Sequence, residues 1–205
     1  MPVDRVAPTR FLHVAYDADD WVAIFLKSSA IGLATQRVGP ISRIASATFQ
    51  AWLRLENAAG VNVYVSVNAV GPDQLSRRRS AIHTIRHVFL DADDDASGVL
   101  RAIADRPDLP SPSYVLHSSP KRAHVFWRVT HFTREHVEAL QKQLANEFGT
   151  DPAATPCSQT TRLPGFLNHK YATPHLVTIE YRHIDRRHTP ADFPTPIATT
   201  TPPSS

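Results

Sequence analysis

Ile85-Arg86-His87-Val88-Phe89-Leu90-Asp91-Ala92-Asp93-Asp94-Asp95 begins as a buried strand and ends in a cluster of carboxylates. Val88, Phe89 and Leu90 form an apolar, partly β-branched run of the composition found inside a sheet. Side chains alternate along a strand, so Asp91 and Asp93 project from one face while Ala92 points away. Two carboxylates a few ångströms apart repel each other unless a positive group sits between them. Hard divalent cations with oxygen ligands, Mg²⁺ or Mn²⁺, meet that need. The plainer reading is a strand running out into a solvated acidic turn. The acidic pair alone does not separate the two, so the neighbouring stretches decide.

Upstream, residues 61–68 alternate with period two and give the clearest strand signal in the chain; Gly71-Pro72 breaks it. Arg77-Arg78-Arg79 then leads into the acidic strand. Downstream, residues 98–106 read as a short helix closed by the proline-bracketed loop 107–112. Residues 114–117 and 123–129 read as two strands of a hairpin joined by Ser118-Ser119-Pro120-Lys121-Arg122. On the return strand His124, Phe126 and Arg128 share one face, and Val125, Trp127 and Val129 the other, which is expected to enter the core. The hydroxyls and cations of Ser118, Ser119, Lys121 and Arg122 are suited to a triphosphate. Thr133 caps a helix through Phe148, with Val137, Leu140, Leu144 and Phe148 on one stripe and Gly149 at its end. Asp151 is the only acidic residue between Glu147 and Glu180, so it is the expected source of a third carboxylate. Arg162, Asn168 and Lys170 add a planar cation, an amide and a point charge, suited to phosphate, sugar or base. Residues 150–170 read as a proline-containing loop and 176–181 as a last strand.

The N-terminal part reads less sharply. Residues 1–10 are expected as a loose leader, and Asp17 or Asp19 as the cap of a helix carrying Trp21, Ile24, Phe25 and Ser28. A second helix is expected over 42–57, with Phe49, Trp52, Leu53 and Leu55 as its apolar members and Gly60 just beyond it. The chain has 205 residues, 42% of them hydrophobic, which suits one domain with two lobes and excludes wholesale disorder. Lys and Arg number 22 against 19 Asp and Glu, a net charge of +3 and a pI near 9.2. That mild excess is compatible with nucleic acid, and its arginine bias favours phosphate. The single cysteine, Cys157, excludes an intramolecular disulfide and a cysteine-rich zinc site. The apolar run at 21–26 is too short for a signal segment or a membrane span, so a soluble, cytoplasmic monomer is expected. From Thr189 the sequence is rich in Pro and Thr and reads as a tail or linker over 189–205, after a two-lobed domain over 1–188.

Taken together, three stretches resemble the archaeo-eukaryotic primase superfamily, nearest to the RepB-type plasmid primases and the primase-polymerases of mobile elements. They are Phe89-Leu90-Asp91-Ala92-Asp93, Ser119-Pro120-Lys121-Arg122-Ala123-His124-Val125, and Asp151 with Arg162-Leu163-Pro164-Gly165 and Asn168-His169-Lys170. The strand at 60–68 also resembles the one before the acidic motif in RepB-type members, and Lys121-Arg122-Ala123 departs from the glycine-rich form of the histidine motif. The resemblance implies an α+β fold: an RRM-like catalytic sheet with helices, a smaller N-terminal α/β lobe, and the site between the lobes. It implies template-directed nucleotidyl transfer that makes or extends primers on single-stranded DNA in plasmid or mobile-element replication. Asp91, Asp93 and Asp151 would hold two divalent ions, Mg²⁺ or Mn²⁺. His124 would hold the triphosphate with Ser119, Lys121 and Arg122 assisting, and Arg162, Asn168 and Lys170 would touch nucleotide or template. Expected partners are single-stranded DNA, nucleoside triphosphates and a helicase or other replication protein.

Two other readings fit parts of the pattern. A non-catalytic single-strand-binding module would use Tyr64, Phe89 and Phe126 as stacking aromatics, but has no use for carboxylates beside a polyanion. A nucleotide-sugar glycosyltransferase also uses D-x-D for a metal and diphosphate, yet leaves the stretch from Arg162 to Gly165 without a role.

Overall fold

The computed structural model describes residues 4–196. Helix α1 (Ala7–Ala15) occupies part of the expected leader, burying Pro8, Phe11, Leu12 and Ala15. Pro8 is tolerated because the first helical turn leaves its N–H groups unpaired in any case. Strand β1 (Trp21–Ser28) follows where a helix was expected. A short apolar run fits either period, and its partners decide. Here β2 (Leu33–Pro40), a strand without a clear sequence signal, pairs antiparallel with all of β1, from Trp21 opposite Pro40 to Ser28 opposite Leu33. Val22, Ile24 and Leu26 thereby enter the core.

The helix expected over 42–57 is two, α2 (Ile41–Ile44) and α3 (Ala47–Ala58). Ser46 divides them: its backbone leaves the helical region and its hydroxyl accepts the Phe49 N–H at 3.3 Å, capping α3. Strand β3 (Asn62–Ser66) pairs with the second edge of β1, and after Val67-Asn68 the short β4 (Ala69–Val70) resumes on β1 at Trp21. β5 (Ile82–Thr84) extends this sheet beyond β4.

The second sheet runs in spatial order Thr178–Tyr181 (β12), Tyr114–Ser119 (β7), Arg122–Arg128 (β8) and His87–Ala92 (β6), with every neighbouring pair antiparallel. β6 (His87–Ala92) is the expected acidic strand, and α4 (Ala96–Ala104) follows it. β7 (Tyr114–Ser119) and β8 (Arg122–Arg128) form the expected hairpin, with Pro120-Lys121 at its tip. α5 (Arg134–Phe148) starts at the Thr133 cap and ends at Gly149, whose φ of 62° is the left-handed conformation that closes such a helix. The expected loop at 150–170 contains β9 (Thr160–Arg162), which returns to the first sheet beside β3, and β10 (Leu167–Asn168). β10 pairs with β11 (His175–Leu176), and β12 (Thr178–Tyr181) closes the second sheet against β7.

The second sheet is buried on both faces. Phe89, Tyr114, Leu116 and Phe126 pack with α1 and the inward residues of β1 and β3. Val88, Leu90, Val125, Trp127 and Val129 pack on the other side with Ile103 of α4 and Val137, Leu140 and Leu144 of α5. The expectation that only the Val125 face enters the core is therefore corrected: Phe126 lies in the core too, and His124 is only 8% exposed.

Buried polar groups join the sheets. Asn68 Oδ1 accepts the N–H groups of Arg86 and His87 at 2.8 and 3.0 Å, and its Nδ2 donates to the Cys157 carbonyl at 2.9 Å. His87 Nδ1 donates to the Val67 carbonyl at 2.6 Å, and its Nε2 accepts from the Tyr114 hydroxyl. Gly165 has a φ of 85°, and a Cβ there would lie 2.5 Å from the Asp4 carbonyl oxygen, so the N-terminal segment packs directly on that turn. His188 and Phe193 are buried, so the packed fold runs on to Phe193; the rest of the expected tail, from 197 onward, lies outside the described residues. No helix among the described residues is long and apolar enough to cross a membrane.

Candidate metal and nucleotide site

β6 is an edge strand, and α5 fixes its free edge. Gln141 Oε1 accepts the Phe89 N–H at 3.0 Å, its Nε2 donates to the Thr155 carbonyl at 2.6 Å, and the Asp151 N–H donates to the Asp91 carbonyl at 3.2 Å. The chain leaving α5 is thus laid against the end of β6. Asp91, Asp93 and Asp151 each present a carboxylate oxygen, and these oxygens lie within 4.8 Å of one another. Asp151 also accepts the Ala153 N–H at 2.8 Å, which orients its carboxylate.

Cations border the cluster. Arg122 Nη1 lies 2.5 Å from Asp93 Oδ1, and His124 Nε2 lies 3.3 Å from Asp91 Oδ1. Burial pushes the Asp91 carboxyl up, but His124, a hydrogen bond with Asp93 and Arg122 outweigh it and hold it below the ordinary value. Burial and the Asp91 charge push Asp93 up, against Arg122 and Lys170. Asp91 Oδ1 is buried, and its nearest donor, His124 Nε2 at 3.3 Å, is not aligned for a hydrogen bond. An orphaned carboxylate oxygen among three converging carboxylates is a donor set that fits a hard divalent cation.

His124 sits between the sheets. Its Nδ1 is 2.7 Å from Thr161 Oγ1 on β9, and its ring meets Phe89 edge-on with centroids 5.2 Å apart. With its proton on Nε2, facing the carboxylate, Nδ1 accepts from the Thr161 hydroxyl. Thr161 was not among the expected site residues. Its only sequence signal is its place next to Arg162, on the alternate face of a strand too short to recognise.

The remaining expected residues divide between two cavities. Ser119, Lys121 and Arg122 line one of about 500 Å³ together with Asp93 and Tyr171. Arg162 and Lys170 line a second of about 500 Å³ with Lys27, Asn62, Tyr64 and His169. Arg162 donates to Asn62 Oδ1 at 2.6 Å and lies over the Tyr64 ring at 4.7 Å. Asn168 is buried; its amide donates to the Ser118 carbonyl at 2.8 Å and accepts the Lys170 N–H at 3.0 Å, so it holds the turn that carries Lys170. Of the three aromatics that a binding sheet would use, Phe89 and Phe126 are in the core and only Tyr64 is accessible.

Comparison with solved structures places this architecture among primases. The cyanophage S-2L primase-polymerase AEP domain superposes with a TM-score of 0.69 at 19% identity, over 93% of this chain and 96% of that one. The catalytic domain of primase RepB′ in complex with initiator DNA gives 0.63 at 21% identity, over 92% and 88%. Primase RepB′ itself gives 0.66 at 22% identity over 93% of this chain, and the chain spans 58% of that protein. Comparison with curated proteins finds no significant match. At these identities the structures establish the fold, an α+β primase architecture. The sequence match is to the family model of the RepB DNA-primase N-terminal domain, over residues 30–190. That match covers most of the 205 residues, on a fold the solved structures share, and this chain therefore belongs to the family of RepB DNA-primase N-terminal domains.

Proposed function

We propose that this chain is a template-directed nucleotidyltransferase that synthesises or extends primers on single-stranded DNA. The observation that carries the reading is the convergence of Asp91, Asp93 and Asp151, with oxygens within 4.8 Å, beside a cationic hairpin. Asp91, Asp93 and Asp151 would hold two divalent ions. Bound there, Mg²⁺ or Mn²⁺ would neutralise charge on the reacting phosphates and favour ionisation of the attacking hydroxyl. His124 donates from Nε2 to the triphosphate, Thr161 fixes the tautomer that permits this, and Ser119, Lys121 and Arg122 line the cavity beside it. Arg162 and Lys170 face the nucleotide or template, with Asn168 as the support of Lys170. In the reaction the 3′-oxygen bonds to the α-phosphorus, the bond to the β-phosphate oxygen breaks, and pyrophosphate leaves. Such a transfer needs positioning and charge neutralisation more than covalent help from side chains. A cytoplasmic location and a helicase or other replication partner accord with this role.

The test is incorporation of labelled nucleotide on single-stranded DNA with Mn²⁺ or Mg²⁺, comparing the wild type with Asp91→Ala/Asp93→Ala. Metal-dependent products from the wild type alone support the reading. Extension of a supplied primer without products on bare template keeps the chemistry and removes initiation. No incorporation in either format, with strand binding intact in EDTA, sinks it in favour of a binding module.

A further inference from the structure

The open face of the first sheet carries a row that neither the acidic cluster nor the hairpin uses. Gln36, Phe25, Tyr64 and Arg162 are direct cross-strand partners on β2, β1, β3 and β9, so their side chains stand on one face in a line. At roughly 4.8 Å between strands the line runs about 14 Å. The Phe25 and Tyr64 rings lie 6.0 Å apart between centroids. Guanidinium groups cover the two ends: Arg162 sits 4.7 Å from Tyr64 and Arg77 sits 5.5 Å from Phe25. The opposite face supplies the core through Ile24, Leu26, Val63 and Val65, whereas Phe25 and Tyr64 belong to no core cluster. Two half-buried aromatic rings that the core does not need are left facing outward.

Each end of the row opens into a cavity. Lys27, Arg162 and Lys170 line the one nearer the acidic cluster, and Gln36, Arg77 and Arg78 line the other, of about 400 Å³. Among the described residues no carboxylate lines either. Lys27 and Arg78 are exposed and pair with no acid among the described residues. Arg77 is anchored by donating to the Ser158 carbonyl at 2.7 Å, which holds its guanidinium over Phe25. The row ends beside the site, because Thr161, the neighbour of Arg162, touches His124.

We propose that this row is a track for single-stranded nucleic acid, with bases stacked on Phe25 and Tyr64 and phosphates held by Lys27, Arg77 and Arg78. It rests on the nucleotidyl-transfer reading for its purpose, since the strand laid there is the template arriving at the acidic cluster. Flat rings bordered by cations, without acids between them, match unpaired bases on a polyanionic backbone. A duplex keeps its base faces covered and gains nothing from the rings.

Two variants separate the components in a fluorescence-anisotropy titration of a labelled oligothymidylate in EDTA. Lys27→Ala/Arg78→Ala removes two exposed cations, and the slope of log K against log salt should flatten by about 1.4, at about 0.7 per phosphate contact in a single strand. Phe25→Leu keeps apolar volume and loses the flat ring, so binding should weaken about tenfold with the slope unchanged. The same variants should bind a duplex as the wild type does in the stacking component. Wild-type affinity for the single strand in both variants overturns the track, as does a Phe25→Leu loss that is equal on the duplex. Strand binding that responds as expected in a wild type that incorporates no nucleotide leaves the track standing and removes the polymerase reading. Incorporation by the wild type with both variants binding normally does the reverse.

Discussion

Replacing Thr161 by Val tests whether the first sheet positions the histidine of the second. Thr161 is fully buried on β9, with its hydroxyl 2.7 Å from His124 Nδ1. Valine has the same shape and an equal preference for strands, so the change removes only the hydroxyl. It leaves a buried imidazole nitrogen without a partner, which costs about 1–3 kcal/mol. Urea unfolding should report that loss. In nucleotide incorporation, the ring loses the contact at Nδ1 that sets its tautomer, and under the proposed role of Nε2 toward the triphosphate the nucleotide KM should rise about tenfold, equivalent to about 1.4 kcal/mol. Thr161→Ser is the control. It deletes one methyl group, costing about 0.8 kcal/mol of stability, and keeps the hydroxyl, so its KM should stay near the wild-type value. A role confined to packing would move KM with stability in both variants. A Thr161→Val enzyme with wild-type nucleotide KM, or a Thr161→Ser enzyme sharing the rise, refutes the argument.

Three further outcomes follow from the same geometry. Mn²⁺ should raise the melting temperature of the wild type and leave Asp91→Ala/Asp93→Ala unmoved; at a hundred times the dissociation constant the gain is about 2.7 kcal/mol, and equal shifts in both proteins would place the ion elsewhere. Asn68→Ala should cost about 3 kcal/mol or more in urea unfolding, because it strands the N–H groups of Arg86 and His87 and the Cys157 carbonyl in a buried junction; a loss under about 1 kcal/mol would show that the junction does not depend on this amide. Burial drives His87 from an ordinary 6.5 down to about 3, so the unfolded chain binds the extra proton between those values. Its contribution is therefore complete above about pH 6.5 and is lost as pH falls, at up to about 1.4 kcal/mol per pH unit. His87→Gln should flatten that acid slope, and an unchanged slope in pH-dependent melts would assign it to other groups.

The strands and helices that the sequence marks clearly are those whose signal is local. Thr133 and Gly149 bracket α5 with a cap and a left-handed residue, and the alternation at 61–68 reappears as β3. The Asp91, Asp93 and Asp151 cluster was legible because its spacing on a strand and its scarcity of rivals are visible in one dimension. Trp21–Ser28 is a strand that reads as a helix, because an apolar run fits a helical stripe as well as a strand, and its partner β2, with Gln36, Arg37 and Gly39, carries no strand signature of its own. The break at Ser46 was hidden within a continuous helical composition. β9 is too short for any periodicity, so the meeting of Thr161 with His124 could be seen only once the sheets were in place.

A cluster of three carboxylates is costly to gather, since like charges a few ångströms apart repel by roughly 4 kcal/mol per pair at the effective dielectric near a protein surface. Arg122, His124 and Lys170 offset part of that cost by charge, and buried carboxamides hold the backbone that carries the cluster. Gln141 holds β6 at Phe89, and Asn68 holds the start of β6 against β4 and Cys157. Asn57 exchanges hydrogen bonds with Leu167 in both directions, and Asn62 accepts from Arg162 and from the His169 backbone. Asn168 carries the turn before Lys170. Each amide has both a donor and an acceptor, so it can satisfy irregular backbone where strands end. Each is also neutral at every working pH, so it stiffens the scaffold without adding charge. A lysine or aspartate at the same positions would add a charge to the field that His124, Arg122 and Lys170 already set. The acidic residues and the amides are thus two halves of one requirement: charge concentrated at a point, and a neutral scaffold stiff enough to keep it there.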